Sequence, residues 1–185
     1  MSNNDLTGLI RSAQSGDGQA FAQLLANSYD NLYRFAYRWC GNRADAEDIT
    51  QQACIKLAQS LGQFRFDAAF SSWLYRLVIN CAKDWYRSQN RHQHDPIEDW
   101  IEPERPPDQS AENSIYLQQI LQRLEQMAEG FKETALLVHG EGLSHAEAAE
   151  VLQVKESTVS WRLHEIRKQL QRLRQQSDRS WEALV

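Results

Sequence analysis

The prolines constrain this chain more tightly than any other feature. All four, Pro96, Pro103, Pro106 and Pro107, fall within twelve residues, leaving 95 Pro-free residues before them and 78 after. Proline fixes φ and removes a backbone donor, so two long stretches without it stay open to continuous helix. The proline segment is also acidic. From Pro96 to Glu112 stand Glu98, Asp99, Glu102, Glu104, Asp108 and Glu112 against the single base Arg105. That excess equals the formal charge of −5, which leaves ten bases and nine acids in residues 1–95 and nine bases and ten acids in residues 113–185. The pattern predicts two small modules, 1–95 and 113–176, joined by an acidic Pro-rich linker, 96–112, with a frayed tail over 177–185. Each module is near neutral, so the placing of charge along its helices must decide its chemistry.

Only helices are legible. Gly16 with Gly18, Gly41, Gly62, Gly130, and Gly140 with Gly142 stand where an apolar 3.6-residue pattern stops or starts. Phe21, Leu24, Leu25, Ser28, Leu32, Phe35 and Trp39 keep helical spacing up to Gly41, a natural C-terminal stop. With no alternating strand pattern, the expected fold class is all-α. A hydrophobic share of 42% with 24% charged residues excludes wholesale disorder, and no apolar run approaches the ~18 residues of a membrane span. Met1 to Gln14 carries neither a basic leader nor an apolar export core, so a cytoplasmic protein without membrane insertion is expected. Cys40, Cys54 and Cys81 form no CxxC pair and are odd in number, which predicts reduced thiols.

Three helix faces carry side chains that a plain packing module does not need. Over about Arg43 to Ser60, Ala46, Ile49, Ala53, Leu57 and Leu61 share the core side, and the opposite side carries Asp48, Gln52, Ile55 and Gln59. Either this is a solvated face with one stray isoleucine, or it is a docking face with Ile55 at its centre and a polar rim. From Asp67 to about Arg91, Phe70, Trp73, Leu74, Leu77, Val78, Cys81 and Trp85 gather inward, while Arg76, Asn80, Lys83 and Arg87 line up outward. Cations can meet phosphates, Asn80 can meet a base edge, and the flanking Tyr75 and Tyr86 offer stacking surfaces, a mixture suited to unpaired strands. A merely solubilising face is the alternative.

In the second module, Gly142-Leu143-Ser144-His145-Ala146-Glu147 reads as a turn and capping box. A short helix with Ala148, Ala149 and Leu152, a turn at Gln153-Val154 and a second helix from about Glu156 to Gln171 with Val159, Leu163, Ile166 and Leu170 inward make a helix-turn-helix. Its outward row is Ser157, Trp161, His164 and Lys168, and residues 155–179 hold seven bases against three acids. Short polar groups near the start of the helix and cations further along suit major-groove reading, although such units also serve as packing modules.

The run Ala44-Asp-Ala-Glu-Asp-Ile-Thr-Gln-Gln52, continued through Phe66-Asp67 to Trp73-Leu-Tyr-Arg-Leu-Val-Ile-Asn80, resembles the first domain of the extracytoplasmic-function (ECF) subgroup of bacterial sigma factors. Glu141-Gly-Leu-Ser-His-Ala-Glu-Ala-Ala-Glu150 and Ser157-Thr-Val-Ser-Trp-Arg-Leu-His164 resemble its second domain, so the likeness spans roughly 170 residues in the family's order. It implies that Asp45, Asp48, Gln51, Gln52 and Ile55 grip the coiled-coil clamp of core RNA polymerase. It further implies that Phe64, Phe66, Arg76, Asn80, Lys83 and Arg87 melt and read the −10 promoter element, with Asn80 where the family holds a flipped base. Ser157, Thr158, Ser160, Trp161, Arg162, His164 and Lys168 would then read the −35 element in duplex form. The acidic linker is similar to those that thread toward the polymerase active centre, and an anti-sigma factor clamping both modules is expected on the same ground. Two departures stand out. Gln153 occupies a turn position that usually holds glycine, which requires a left-handed backbone at a cost of ~1 kcal/mol. Ser160, Trp161 and Glu165 replace the family's usual Lys, Ser and frequent Arg, which weakens a typical phosphate grip.

Catalysis finds no support in the residues. There is no glycine-rich phosphate loop and no Ser-x-Gly nucleophile turn, and His92, His94, His139, His145 and His164 lack zinc-ligand spacing with the cysteines. The expectation is a non-enzymatic protein without cofactor or metal. Two other functions remain compatible with the faces alone: an autonomous helix-turn-helix repressor that binds duplex operators as a dimer, and a protein-interaction adaptor.

Overall fold

The computed structural model describes residues 3–92 and 109–182, and among these only helices and turns occur. The acidic linker as far as Asp108, and His94 with it, lies outside the described residues. The chain divides into two compact units, Met1–Ser114 and Ile115–Val185.

The first unit comprises α1 (Asn3–Gln14), α2 (Gly18–Cys40), α3 (Arg43–Ser60), a 3-10 turn (Leu61–Gln63) and α4 (Phe70–His92). Each short connection is chemically punctuated. Asp17 caps α2 by accepting from the Gln19 and Ala20 amides at 2.9 and 3.1 Å. Gly41 ends it in the left-handed conformation, φ 80°, where glycine escapes the Cβ penalty, and its N–H donates to the Tyr37 carbonyl. Asn42 then caps α3, accepting from the Asp45 amide at 2.9 Å, so one tight corner turns the chain from α2 into α3.

α3 lies against both α2 and α4, and α1 packs on α2. The face predicted to be inward is completely buried at Ala46, Ile49, Ala53 and Leu57, and Leu61 follows it into the core. Leu24, Leu32 and Phe35 of α2, and Val78, Cys81 and Ala82 of α4, are buried in the same unit, whose helices pack against α3. Each large side chain so buried contributes about 1.5–3 kcal/mol. The buried hydroxyls of Ser28 and Thr50 donate to the Leu24 and Ala46 carbonyls at 2.8 and 2.6 Å, so neither is an orphan in the core.

Two features depart from the sequence reading. α4 starts at Phe70 rather than Asp67, because residues 64–69 form a loop tied to α1 by Gln14, whose Nε2 donates to the Leu61 and Phe64 carbonyls at 2.9 and 2.8 Å. α1 itself was not anticipated. Its apolar signal is the brief Leu6, Leu9, Ile10 spacing, of which only Ile10 is fully buried.

The second unit contains the body of α5 (Gln109–Met127), α6 (Phe131–Ala135) running into a π-helical turn (Leu136–Gly140), α7 (His145–Leu152) and α8 (Glu156–Glu182). The helix-turn-helix is present. α7 buries Ala148, Ala149 and Val151, while Leu152 is only half-buried; α8 buries Val159, Leu163 and Ile166. Gln153 takes the left-handed backbone, φ 55° and ψ 41°, that glycine usually supplies at such a turn. Its amide and that of Val154 still close the end of α7 on the Ala149 carbonyl, so the turn keeps its shape at the cost of local strain. α8 continues to Glu182, into the stretch expected to fray, following a run of good helix formers, Gln169-Leu-Gln-Arg-Leu-Arg-Gln-Gln176, with no Pro or Gly after it to stop the helix. No helix among the described residues is long and apolar enough to cross a membrane.

The capping box at Ser144 gives a stability prediction. Ser144 Oγ accepts from the Glu147 amide at 3.2 Å, and the Glu147 carboxylate accepts from the Ser144 amide at 2.8 Å and its hydroxyl at 2.7 Å. Ser144→Ala should cost about 1 kcal/mol, read as faster amide hydrogen exchange along α7. The Ser144 hydroxyl first, and its amide second, hold the Glu147 carboxyl below its ordinary 4.5. A depressed folded value means the capping contribution is complete above that ordinary value and is lost as pH falls through the lowered one. The exchange difference between the native chain and Glu147→Gln should therefore be largest near neutrality and vanish in acid.

Candidate functional site

The first candidate surface follows from how α3 is held. With its inner face buried on α2 and α4, the outer face presents Asp48, Gln51, Gln52 and Gln59 in solvent around Ile55, which is 44% exposed. Asp45, grouped with them from the sequence, has a different task. It is half-buried, and its carboxylate accepts from the Asn42 side-chain amide, completing the reciprocal cap at the start of α3. It shapes the helix end rather than standing in the outer row.

The second surface is the outward row of α4, with Asn80 and Arg87 exposed and Arg76 and Lys83 half-buried. Between this row and the end of α3 lies an open groove of about 460 Å³ lined by Lys56, Gln59, Gln63, Trp73, Arg76 and Asn80 among others. It combines cations, amides and one indole, the set that meets phosphates, base edges and base faces. Lys56 was not picked out from the sequence, since it falls between the inner and outer stripes of α3. Here Asp84 of α4 draws it across the groove, Nζ to Oδ2 at 2.9 Å, and that bond holds the ammonium in its charged form. Asp84 also meets Arg87, at 3.6 Å. Tyr86 is exposed as a flanking ring should be, but Tyr75 packs against Phe35 with ring centroids 5.6 Å apart and belongs to the core edge.

The loop before α4 separates the two phenylalanines assigned there. Phe64 is 6% exposed and sits among Phe66, Phe70 and Trp73 at centroid distances of 4.8, 5.4 and 5.5 Å. Most of its ring is enclosed by these neighbours, so it supports the loop from within. Phe66 is half-buried and adopts φ 61°, a left-handed backbone that costs a bulky residue on the order of 1–3 kcal/mol and collects at functional loops.

On the helix-turn-helix, Ser157, His164 and Lys168 are exposed, Thr158 is half-buried, and Trp161 is 55% exposed with its edge against Phe131, 5.6 Å between centroids. Ser160 faces back to α7, its Oγ 3.0 Å from Nδ1 of His145. Lys168 shares its charge with Glu165 at 3.7 Å. Arg162, expected on DNA, is turned inward. Its guanidinium donates to Thr134 Oγ1 and the Glu129 carbonyl, both at 3.4 Å, and lies so close over Gly130 that a Cβ there would stand 2.3 Å from its carbon. Gly130, at φ 92°, is thus required twice, by its backbone and by that approach.

Cys54 is half-buried and Cys81 buried, and burial pushes both above their ordinary value, away from the thiolate that redox or metal chemistry uses.

Two all-α units, the second a helix-turn-helix, are the domain pair of a promoter-specificity factor of the Sigma-70 type. Residues 24–92 match Sigma-70 region 2, and residues 117–170 match Sigma-70, region 4. The chain is 35% identical over 167 residues to the ECF RNA polymerase sigma factor SigM of Mycobacterium tuberculosis, covering 89% of this chain and 82% of that one. It is 30% identical to the ECF RNA polymerase sigma-E factor of Escherichia coli over 86% of this chain and 88% of that one. Among solved structures, CnrH in complex with the cytosolic domain of CnrY superposes with a TM-score of 0.67 at 25% identity, covering 89% of this chain and 94% of CnrH. The sigma factor RpoE of Bartonella quintana, solved with the anti-sigma factor NepR, shares the fold at a TM-score of 0.62 and 24% identity, covering 84% and 96% of the two chains. The chain belongs to the ECF sigma factors. It is an alternative sigma factor, whose domains bind core RNA polymerase and promoter DNA, and nothing in its relatives or fold favours the operator-binding repressor.

The aromatic cluster supplies a test of the loop. Phe64→Ala should destabilise the first unit by about 3–5 kcal/mol, seen as a lowered denaturant midpoint for that unit, while Phe66→Ala should leave the midpoint nearly in place.

Proposed function

We propose that the exposed face of α3, Asp48, Gln51, Gln52 and Ile55, docks on the clamp of core polymerase, with Asp45 fixing the helix end that presents it. In this reading α4 takes the unpaired −10 strand. Arg76, Lys83 and Arg87 meet phosphates, Asn80 reads a base edge in the groove, and Phe66 borders the strand at the loop, supported from beneath by Phe64. α8 enters the −35 duplex with Ser157, Thr158, Trp161, His164 and Lys168, while Ser160 and Arg162 hold it at its working angle against α7 and the α5–α6 turn. The modules divide the work at the boundaries 1–95, 96–112 and 113–176, and the acidic linker follows the path of nucleic acid inside the polymerase. The protein works in the cytoplasm without catalysis of its own, under an anti-sigma factor that covers the same faces.

The observation that carries this reading is Ile55, exposed at 44% on a helix whose opposite face is completely buried. An apolar centre ringed by an acid and amides is the anatomy of a protein interface. Ile55→Asp should weaken capture of core polymerase by about thirtyfold or more, the effect of losing a central anchor, in a competition binding assay. Asn80→Ala should leave that capture intact and slow promoter opening by about tenfold, as loss of one base-edge contact does. Polymerase binding that survives Ile55→Asp would sink the assignment.

A further inference from the structure

We propose that Trp161 is a specificity-determining residue of α8, its indole packing on the C5-methyl group of one thymine in the −35 major groove. The inference rests on the reading of α8 given above and names the base chemistry at one of its positions. It concerns this chain in particular, since Trp161 stands where the family usually has serine, so that an apolar contact takes the place of a polar one. At 55% exposure, Trp161 is the most exposed large apolar side chain among the described residues. Ser157, His164 and Lys168, which share its row at helical spacing, are exposed as well. Around Ile55 stand an acid and amides; around Trp161 stand a hydroxyl, an imidazole and an ammonium, the set that meets base edges and phosphates. The nearest carboxylate along the row, that of Glu165, is paired with Lys168 at 3.7 Å.

The indole is held as well as exposed. Phe131, itself buried, meets it with 5.6 Å between ring centroids and 68° between ring planes, which fixes the angle of the indole and leaves more than half of it in solvent. The residues on either side of it in the chain are tied to the body of the unit. Ser160 Oγ lies 3.0 Å from Nδ1 of His145 on α7, and the Arg162 guanidinium donates to Thr134 Oγ1 and the Glu129 carbonyl. α8 is thus pinned on both sides of its outward row, and the ring is presented with little freedom left to lose on binding.

The chemistry of the side chain then selects the base. Tryptophan has one donor, its Nε1–H, and no acceptor, so it cannot make the bidentate pairs that read guanine or adenine. What it brings is apolar surface. Of the four bases, thymine is the one that offers the major groove an apolar group, its C5-methyl. Position along α8 agrees. Trp161 is the sixth residue of the helix, within the N-terminal part of a recognition helix that reaches base edges, whereas Lys168, two turns further on, is placed for a phosphate.

The test uses holoenzyme assembled with the full chain and a duplex promoter whose −35 element is first selected from a randomised pool. Each thymine of the selected element, on either strand, is then replaced singly by deoxyuridine, which removes the methyl group and nothing else. One replacement should weaken binding by about three- to fivefold, the worth of one buried methyl group. The same replacement should have no effect on holoenzyme carrying Trp161→Ala or Trp161→Ser. As an independent measurement on the native chain, 5-iododeoxyuridine at that position puts iodine in place of the methyl group and should photo-crosslink to the peptide containing Trp161; if the variants fail to fold, this crosslink decides. Indifference of native holoenzyme to every replacement, equal sensitivity in the folded Trp161 variants, or a crosslink to another residue overturns the proposal and leaves the reading of α8 standing. If the pool yields no preference at −35, the reading of α8 fails and this inference with it.

Discussion

The burial of one face of α3 between α2 and α4 fixes everything the first unit offers to a partner. Ala46, Ile49, Ala53 and Leu57 are completely enclosed, and two of the four are alanines, which let the neighbouring helices approach closely. A helix so enclosed cannot rotate about its axis without opening cavities, each worth kilocalories. Its outer row is therefore set by its inner one. Ile55 is exposed because Leu57 and Ala53 are not, and Lys56, between the stripes, is brought to the edge of α4 where Asp84 can hold it.

The loop between α3 and α4 is organised by a different principle. It has little regular hydrogen bonding of its own and is held by stacked rings and by a glutamine from α1. Phe64 fills the centre, which frees Phe66 to adopt a strained backbone, because the surrounding contacts outweigh the local cost. The same logic recurs in the second unit. Gln153 takes a left-handed turn without glycine, between the capped α7 before it and the buried Val159 after it. In both places strain sits beside a surface we assign to nucleic acid.

What could be read from the sequence was whatever depends on periodicity. The inner and outer rows of α3, the stop at Gly41 and the capping box at Ser144 are local statements, and local rules state them, whereas the left-handed Gln153 followed from the glycine usual at that turn in the resembled family. Contacts between segments distant in the chain were illegible. Nothing near Arg162 announces that it will lie on Gly130, and nothing near Phe64 distinguishes it from Phe66, two residues on. Spacing along a helix says which way a side chain leaves the axis, not whether another helix is waiting there. Asp45 differs again. Its tie to Asn42 was within reach of a capping analysis, but the resemblance of Asp45-Ala-Glu-Asp48 to the family's motif drew it toward the docking set.

Charge along α4 shows how these levels combine. Counted from the sequence, the reading surface is strongly basic; in the fold, Asp84 draws on both Lys56 and Arg87. These pairs are exposed, and exposed pairs are worth roughly 0–1 kcal/mol, so a phosphate can displace the carboxylate at little cost. Until one arrives, the carboxylate lowers the local field that would otherwise attract any polyanion. The linker acts in the same direction at the scale of the chain, since its acids set the overall charge at −5. An acidic chain with locally neutralised cations binds DNA poorly by charge alone. On the reading proposed for α4, recognition then depends on the contacts that shape and unpairing create, which are available only once the polymerase holds the DNA open.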